Sequence, residues 1–199
     1  MGRVLTILSV LLVLIAGVYY FFEPSEKYKI LPLKTQDMEI AATSPVIDDN
    51  WHEFVSPSGK FKVMMPVEPQ KANDIFVDPD TKQKKDYYMY VAQTANGTVF
   101  MVSLIAFGKD EDGDVRFKDI VKDMMASDPK NVLSNMHTAN YQGHEARDFD
   151  IENEKMKIMN RAFVKKDKIY LLSAITPKGV KDPDVNLFLN SFEFIEVKR

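Results

Sequence analysis

The sequence predicts an α+β fold with a mostly antiparallel sheet and two amphipathic helices, preceded by one transmembrane helix. Three observations lead to this expectation. An uncharged apolar run occupies residues 4–22, short strand-like segments separated by turn residues follow Trp51, and two segments with three- and four-residue apolar spacing interrupt those strands.

The composition is that of an ordinary globular protein, with 45% hydrophobic and 28% charged residues. A net charge of −3 gives no basic surplus, so we expect no nucleic-acid partner. The chain has no cysteine, which excludes disulfides, thiolate metal sites, cysteine nucleophiles and anchors that depend on a lipidated cysteine.

Residues 4–22, VLTILSVLLVLIAGVYYFF, form the predicted membrane anchor. A helix of this length, at about 1.5 Å per residue, covers the roughly 30 Å hydrocarbon layer of a bilayer. The alternative is a secretory signal cleaved after Ala16 or Gly17, but the apolar run continues to Phe22 and no A-x-A site follows. We therefore expect an uncleaved single-pass anchor with the remainder outside the cytoplasm, on the periplasmic or extracellular side.

Residues 23–50 contain Pro24, Pro32 and Pro45 and no apolar period. This pattern predicts a flexible linker. The soluble domain then occupies residues 51–199.

Two hairpins are predicted near the start of this domain. WHEFVS and KFKVMM flank Pro57, Ser58 and Gly59, a typical turn sequence. YYMYVAQTA and TVFMVSLIAF flank Asn96-Gly97, the dipeptide that supplies two positive φ angles to a two-residue turn. The second strand of this hairpin is apolar at both alternating sets of positions, so we expect both of its faces to be covered.

Two helices are predicted in the same domain. The first has Asp114 as its cap and continues to about Met125. Its inward residues are predicted to be Phe117, Ile120, Val121 and Met124, and its outward residues Lys118, Asp119, Lys122 and Asp123. The second helix is short, with Asp182 as cap, Pro183 at the first helical position, and a buried stripe of Val185, Phe188, Leu189 and Phe192.

Three further strands are predicted between the helices, from the segments GHEARDFDIE, MKIMNRAFV and KIYLLSAIT. The last two are joined across residues 165–167. The third is apolar on both faces, which predicts a central position in the sheet. Residues 191–194 are predicted to lead into a closing strand.

The order of these elements resembles the PsbP-like domain family. The resemblance rests on W-x-x-F-x-S-P-S-G-K-F-K-V-x-x-P-x-x-P at residues 51–69, the central hairpin, the mid-chain helix and the closing F-L-N-S-F-E-F at residues 188–194. It implies an α-β-α sandwich over residues 51–199, a fold found in extrinsic photosystem subunits and in bacterial envelope proteins. It also implies a non-enzymatic binding or assembly role, while no metal ligand of the family matches a position of this chain.

An acidic loop carries the first candidate site. Asp110, Asp112 and Asp114 alternate as in a calcium-binding loop, but Val115 and Val121 stand where an EF-hand requires glycine and glutamate. A solvated loop that caps a helix is the favoured interpretation.

A second candidate site lies on the strand GHEARDFDIE. Alternation places His144, Asp148 and Asp150 on one face, where an imidazole beside carboxylates can serve acid–base chemistry or bind a cation. An exposed sheet face is the commoner explanation. No hydrolase, nucleotide-binding or metalloprotease motif occurs, so we assign no catalytic residue and expect no cofactor.

The leading functional hypothesis is a membrane-anchored envelope protein whose domain binds another protein or helps to assemble a complex. The alternative is a small-ligand or cation-binding protein, or an enzyme, with its pocket between sheet and helix. A deep polar cavity would favour the alternative, and an exposed apolar surface the first.

Overall fold

A computed structural model of the chain describes residues 51–77, 84–108 and 111–195. The predicted anchor at 4–22 and the linker at 23–50 lie outside these residues. Within them, no helix has the length and apolar character that crossing a bilayer requires.

A seven-stranded antiparallel sheet forms the centre of the domain, with the strand order β3-β4-β5-β9-β8-β7-β6. Its strands are β3 (Gln70–Val77), β4 (Lys84–Gln93), β5 (Val99–Ala106), β6 (Val132–Tyr141), β7 (His144–Glu152), β8 (Met156–Lys165) and β9 (Lys168–Pro177). A smaller antiparallel sheet has the order β1-β2-β10, from β1 (His52–Ser56), β2 (Phe61–Met65) and β10 (Glu193–Phe194). The helices are α1 (Gly113–Ala126) and α2 (Val185–Asn190).

The two faces of the large sheet are covered differently. The small sheet and α2 cover one face, which we call the aromatic face. Its buried side chains include Phe61, Phe100, Phe163, Phe188 and Phe192. Helix α1 covers the β7, β8 and β9 part of the other face, which we call the aliphatic face, over a mixed core of aliphatic and aromatic side chains. A separate cluster on the same face contains Tyr87, Met89, Val91 and Val99 of β4 and β5. These cores together bury the apolar positions of both alternating sets, as a central strand requires.

Most of the predicted elements are present. The hairpins β1-β2, β4-β5 and β8-β9 form as expected, and β10 closes the small sheet against β2. Strands β5 and β9 lie inside the large sheet with apolar residues buried on both faces. The mostly antiparallel sheet with two helices is therefore confirmed, although the second layer over the sheet is largely a second sheet rather than a helix.

The turn between β4 and β5 differs from the prediction. The amide of Gly97 donates to the carbonyl of Thr94, and the amide of Thr94 donates to the carbonyl of Thr98. Only Gly97 has a positive φ, of 85°, so Asn96 does not supply a second one. Asn96 instead accepts from the amide of Thr98 through its side chain, which stabilises a loop longer than two residues.

Both helix starts also differ from the prediction. Asp112, not Asp114, caps α1, because its carboxylate accepts from the amide of Asp114 at 2.8 Å. The predicted apolar stripe of α1 is buried, but so is Asp123, which was expected to face solvent. Helix α2 begins at Val185 rather than Pro183, because Asp182 accepts from the amide of Asp184 in a turn before the helix.

Candidate functional site at the uncharged sheet edge

The acidic loop is used to attach α1 to the sheet. Asp112 caps the helix, and Asp114 lies 2.6 Å from the guanidinium of Arg147 on β7. Gly113 approaches β8 so closely that any side chain there would clash with Val164. Asp110 lies outside the described residues. Asp112 and Asp114 therefore have structural partners, and no group of three His, Asp or Glu side chains that could hold a metal occurs in the described part of the chain.

His144 and Asp148 share the aromatic face of β7, as the alternation predicted. The ring of His144 packs edge-on against Phe194, with 4.7 Å between the ring centres. Asp148 is bound on both oxygens by Arg161 of β8, at 2.8 Å from Nε and 2.8 Å from Nη2. The two predicted candidates thus contact different partners.

Arg161 links the sheet to the end of α2. Its Nη1 donates to the carbonyl of Leu189 at 3.0 Å and to the side chain of Asn190 at 2.9 Å. Its guanidinium also lies 4.6 Å from the ring centre of Tyr141. The hydrogen bonds to Asp148 are the main cause of the raised pKa of Arg161, so the guanidinium keeps its charge. A carboxylate held on both oxygens by a permanent cation is poorly suited to act as a general base.

Asp150 on this face of β7 also has partners within the fold. Asp150 lies 2.9 Å from Lys157 and accepts from Asn135 at 2.8 Å. His137 on β6 is exposed, and its Nε2 is 3.9 Å from Asp148, while its Nδ1 contacts the carbonyl of Asn135. This cluster of charged side chains joins β6, β7, β8 and α2, and each member has a structural partner.

Strand β6 has a different character. It is the last strand of the large sheet and, within the described residues, pairs only with β7. Its ten residues, VLSNMHTANY, contain no Asp, Glu, Lys or Arg. Val132 and Met136 are 58% and 49% exposed. Natural proteins usually protect such edges with charges or proline, so an uncharged ten-residue edge is a candidate surface for pairing with another strand.

One bulge interrupts the edge. The register with β7 shifts between Ser134 and His137, and Asn135 has a φ of 53°. After the bulge, residues 137–141 continue in regular register to the turn. The edge therefore offers five consecutive residues in regular strand geometry.

The turn between β6 and β7 determines which backbone groups point outward. Gln142 and Gly143 have φ angles of 50° and 78°, which is the two-residue type I′ hairpin turn. In such a hairpin the closing pair, Tyr141 and His144, is hydrogen-bonded, and hydrogen-bonded pairs alternate with non-hydrogen-bonded pairs along the ladder. The N–H and C=O groups of Thr138 and Asn140 are therefore directed away from β7.

Sequence reasoning did not identify this strand. Its apolar residues do not alternate, because the bulge shifts their phase and the outer strand buries few side chains. Gly143, the first residue of the predicted segment GHEARDFDIE, is the signal that was available, because glycine supplies one of the positive φ angles of a tight hairpin turn. Arg161 was likewise missed, since a single arginine in a strand gives no indication of its partners.

The chain is loosely similar to PsbP. The solution structure of cyanobacterial PsbP (CyanoP) from Synechocystis sp. PCC 6803 matches with a TM-score of 0.49 and 10% identity, over 78% of this chain and 98% of that chain. A crystal structure of a protein from Bacteroides thetaiotaomicron VPI-5482 matches with a TM-score of 0.36 and 12% identity, over 74% of this chain and 49% of that one. No protein-family model matches the chain, and no curated protein matches it. At these identities the likeness says nothing about activity.

Proposed function

We propose that this protein is a membrane-anchored, non-enzymatic binding module of the cell envelope, and that the β6 edge is its binding surface. Residues 4–22 hold the chain in the bilayer, residues 23–50 form a tether, and the folded domain lies outside the cytoplasm. The uncharged apolar run and the proline-containing segment after it support this arrangement.

The observation that carries the binding role is the contrast between the paired charges and the open edge. Asp148 and Asp114, which the sequence offered for chemistry, each hold an arginine. Strand β6 instead presents outward backbone groups and exposed apolar side chains. An added strand satisfies both features, because main-chain hydrogen bonds give affinity and alternate side chains give specificity.

Site-specific photo-crosslinking in intact membranes tests this proposal. A photoreactive amino acid replaces Met136 in the full chain, and the same amino acid at Val67 serves as the control. The two side chains are matched in exposure, at 49% and 45%, but Val67 lies outside β6. We expect a discrete crosslinked protein band from position 136 and none from position 67.

Three other results would count against the proposal. Equal diffuse crosslinking from both positions would show that β6 is not a binding surface. A metabolite or cation that purifies with the full chain, without any crosslinked protein, would favour a small-ligand role instead. Recovery of the chain from the aqueous fraction, beginning after Gly17, would contradict the anchor.

A further inference from the structure

We infer that the partner bound at the β6 edge is a second copy of this chain, paired antiparallel about a two-fold axis through Ala139. This inference rests on the proposed binding role of β6 and specifies its occupant. The two large sheets would join into one continuous fourteen-strand sheet.

The direction of the backbone groups sets the register. Thr138 and Asn140 present their N–H and C=O groups outward in the regular segment after the bulge. A two-fold axis at Ala139 brings Thr138 of one copy opposite Asn140 of the other, in both directions. Each of these two pairs exchanges two hydrogen bonds, so every outward group of residues 138 and 140 gains a partner. An axis at Thr138 would instead place Asn140 opposite residue 136, in the bulge. An axis at Asn140 would place Thr138 opposite residue 142, in the turn.

The side chains permit this register. Ala139 would face its own counterpart, and two alanines allow the strands to approach closely. Residues 132–141 carry no formal charge, so no like charges oppose each other across the new pair. In the flanking strands, Arg147 pairs with Thr138 and Glu145 with Asn140. Arg147 is held by Asp114 and Glu145 of its own copy, so it brings no unpaired charge to the interface.

The start of the domain is consistent with two copies in one membrane. Trp51 packs against Phe100 on the aromatic face of the sheet, with 5.1 Å between the ring centres. A two-fold axis that relates antiparallel edge strands of one continuous sheet is perpendicular to that sheet, so both aromatic faces lie on the same side. Trp51, the first described residue of each domain, would then lie on the same side in both copies, as two chains anchored in one bilayer require.

The small size of the interface between the two copies indicates that it would form in membranes rather than in solution. Five paired residues make a small contact compared with the roughly 1,200–2,000 Å² of a stable protein interface. Two chains confined to one membrane meet at a high effective concentration, which compensates for a small contact. Pairing is therefore expected in membranes rather than in dilute solution.

Single-cysteine trapping in membranes tests the inference. The natural chain has no cysteine, so Ala139→Cys introduces the only thiol. Non-hydrogen-bonded antiparallel pairs have Cα atoms about 4.5 Å apart, which lies within the range that a disulfide bridges. After mild oxidation of membranes that contain the full chain, we expect a reducible homodimer in several-fold higher yield than from Val55→Cys. Val55 is 43% exposed and lies on β1, the outer strand of the small sheet.

Three outcomes would overturn the inference. One is a dimer yield from Ala139→Cys no higher than from Val55→Cys, with both thiols accessible to maleimide. Another is a yield along residues 137–141 that peaks at a position other than 139. The third is a disulfide between Ala139→Cys and a different protein, which would refute the second copy as partner but leave the binding role of β6 intact. Failure of the binding role would instead give no crosslinked protein at Met136.

Discussion

Strands β8 and β6 are each ten residues long and lie two positions apart in the same sheet, yet they use their residues in opposite ways. On β8, Phe163 is 2% exposed in the aromatic core and Arg161 binds a carboxylate and the end of α2. On β6, exposed apolar side chains lie beside outward backbone groups. The charged and aromatic side chains of β8 are therefore engaged inside the fold, whereas the outer side of β6 pairs with no other strand among the described residues.

The largest difference between the two strands is expected from truncation of an aromatic ring. Phe163 stacks on Phe192 with 5.1 Å between the ring centres and contacts Phe194 edge-on. Phe163→Ala should lower the free energy of unfolding by about 3–5 kcal/mol. Met136→Ala on β6 is the control, with an expected change within about 0.5 kcal/mol. Urea unfolding of the purified chain in detergent, followed by the fluorescence of Trp51, the only tryptophan, measures both.

The next effect concerns Arg161. Arg161→Met should cost about 3 kcal/mol, because Asp148 remains partly buried without its cation and the carbonyl of Leu189 loses its donor. A second change, Asp148→Leu, should recover part of that loss. Lys130→Ala breaks an exposed pair with Glu154 and should cost less than about 1 kcal/mol. Equal losses from the arginine and lysine variants would show that Arg161 does not hold α2 to the sheet.

Asp123 contrasts with Asp148, because it is a buried carboxylate that has no arginine bound to it. It is 6% exposed, and its Oδ2 has no hydrogen-bond partner. Burial, with a smaller contribution from Asp119, raises its pKa above the ordinary value. The folded state therefore binds this proton more tightly than the unfolded state does.

The raised pKa of Asp123 makes the stability of the domain depend on pH. Because the pKa of Asp123 is raised, the free energy of unfolding should fall as the pH rises from the unfolded pKa to the folded pKa. Asp123→Asn should flatten this part of the pH profile and stabilise the domain by about 1 kcal/mol at neutral pH. Glu154→Gln, a change at an exposed carboxylate that pairs with Lys130, is the control. An unchanged pH profile for Asp123→Asn would contradict the expectation.

The smallest effect on stability is expected on β6 itself. Thr138→Lys places a charge on the outer strand opposite Arg147 of β7, and this like-charge pair should lower the free energy of unfolding by only about 0.5 kcal/mol. Combined with Ala139→Cys, it should nevertheless abolish the disulfide-linked dimer, because a lysine on an edge strand opposes strand addition. Thr138→Val keeps the size without the charge and should leave the dimer. Loss of the dimer in both variants would indicate a different contact.

Much of the fold was predictable from local patterns. Strands β5 and β9 carry apolar residues at both alternating sets of positions, which predicted their burial on two faces. Phe117, Ile120 and Val121 recur at helical spacing and are buried in α1. These predictions succeeded because long-range burial leaves a periodic trace in the sequence itself.

The candidate site was less accessible to the same reasoning. Strand β6 has a bulge and few buried side chains, so its sequence shows no strand period. Asp148 looked available for chemistry because alternation gives its face but not its neighbour. Asp123 was expected in solvent, although the structure buries it.

The sequence by itself determined the uncharged run at 4–22, the alternating strands, the apolar stripes of the helices and the absence of cysteine. These properties depend on the order of residues along the chain. Only the tertiary structure decided that β6 lies at one edge of the large sheet and which carboxylates met arginines. Strand order and side-chain pairing depend on contacts between residues far apart in the chain, and a periodic pattern records that a residue is buried without recording its partner.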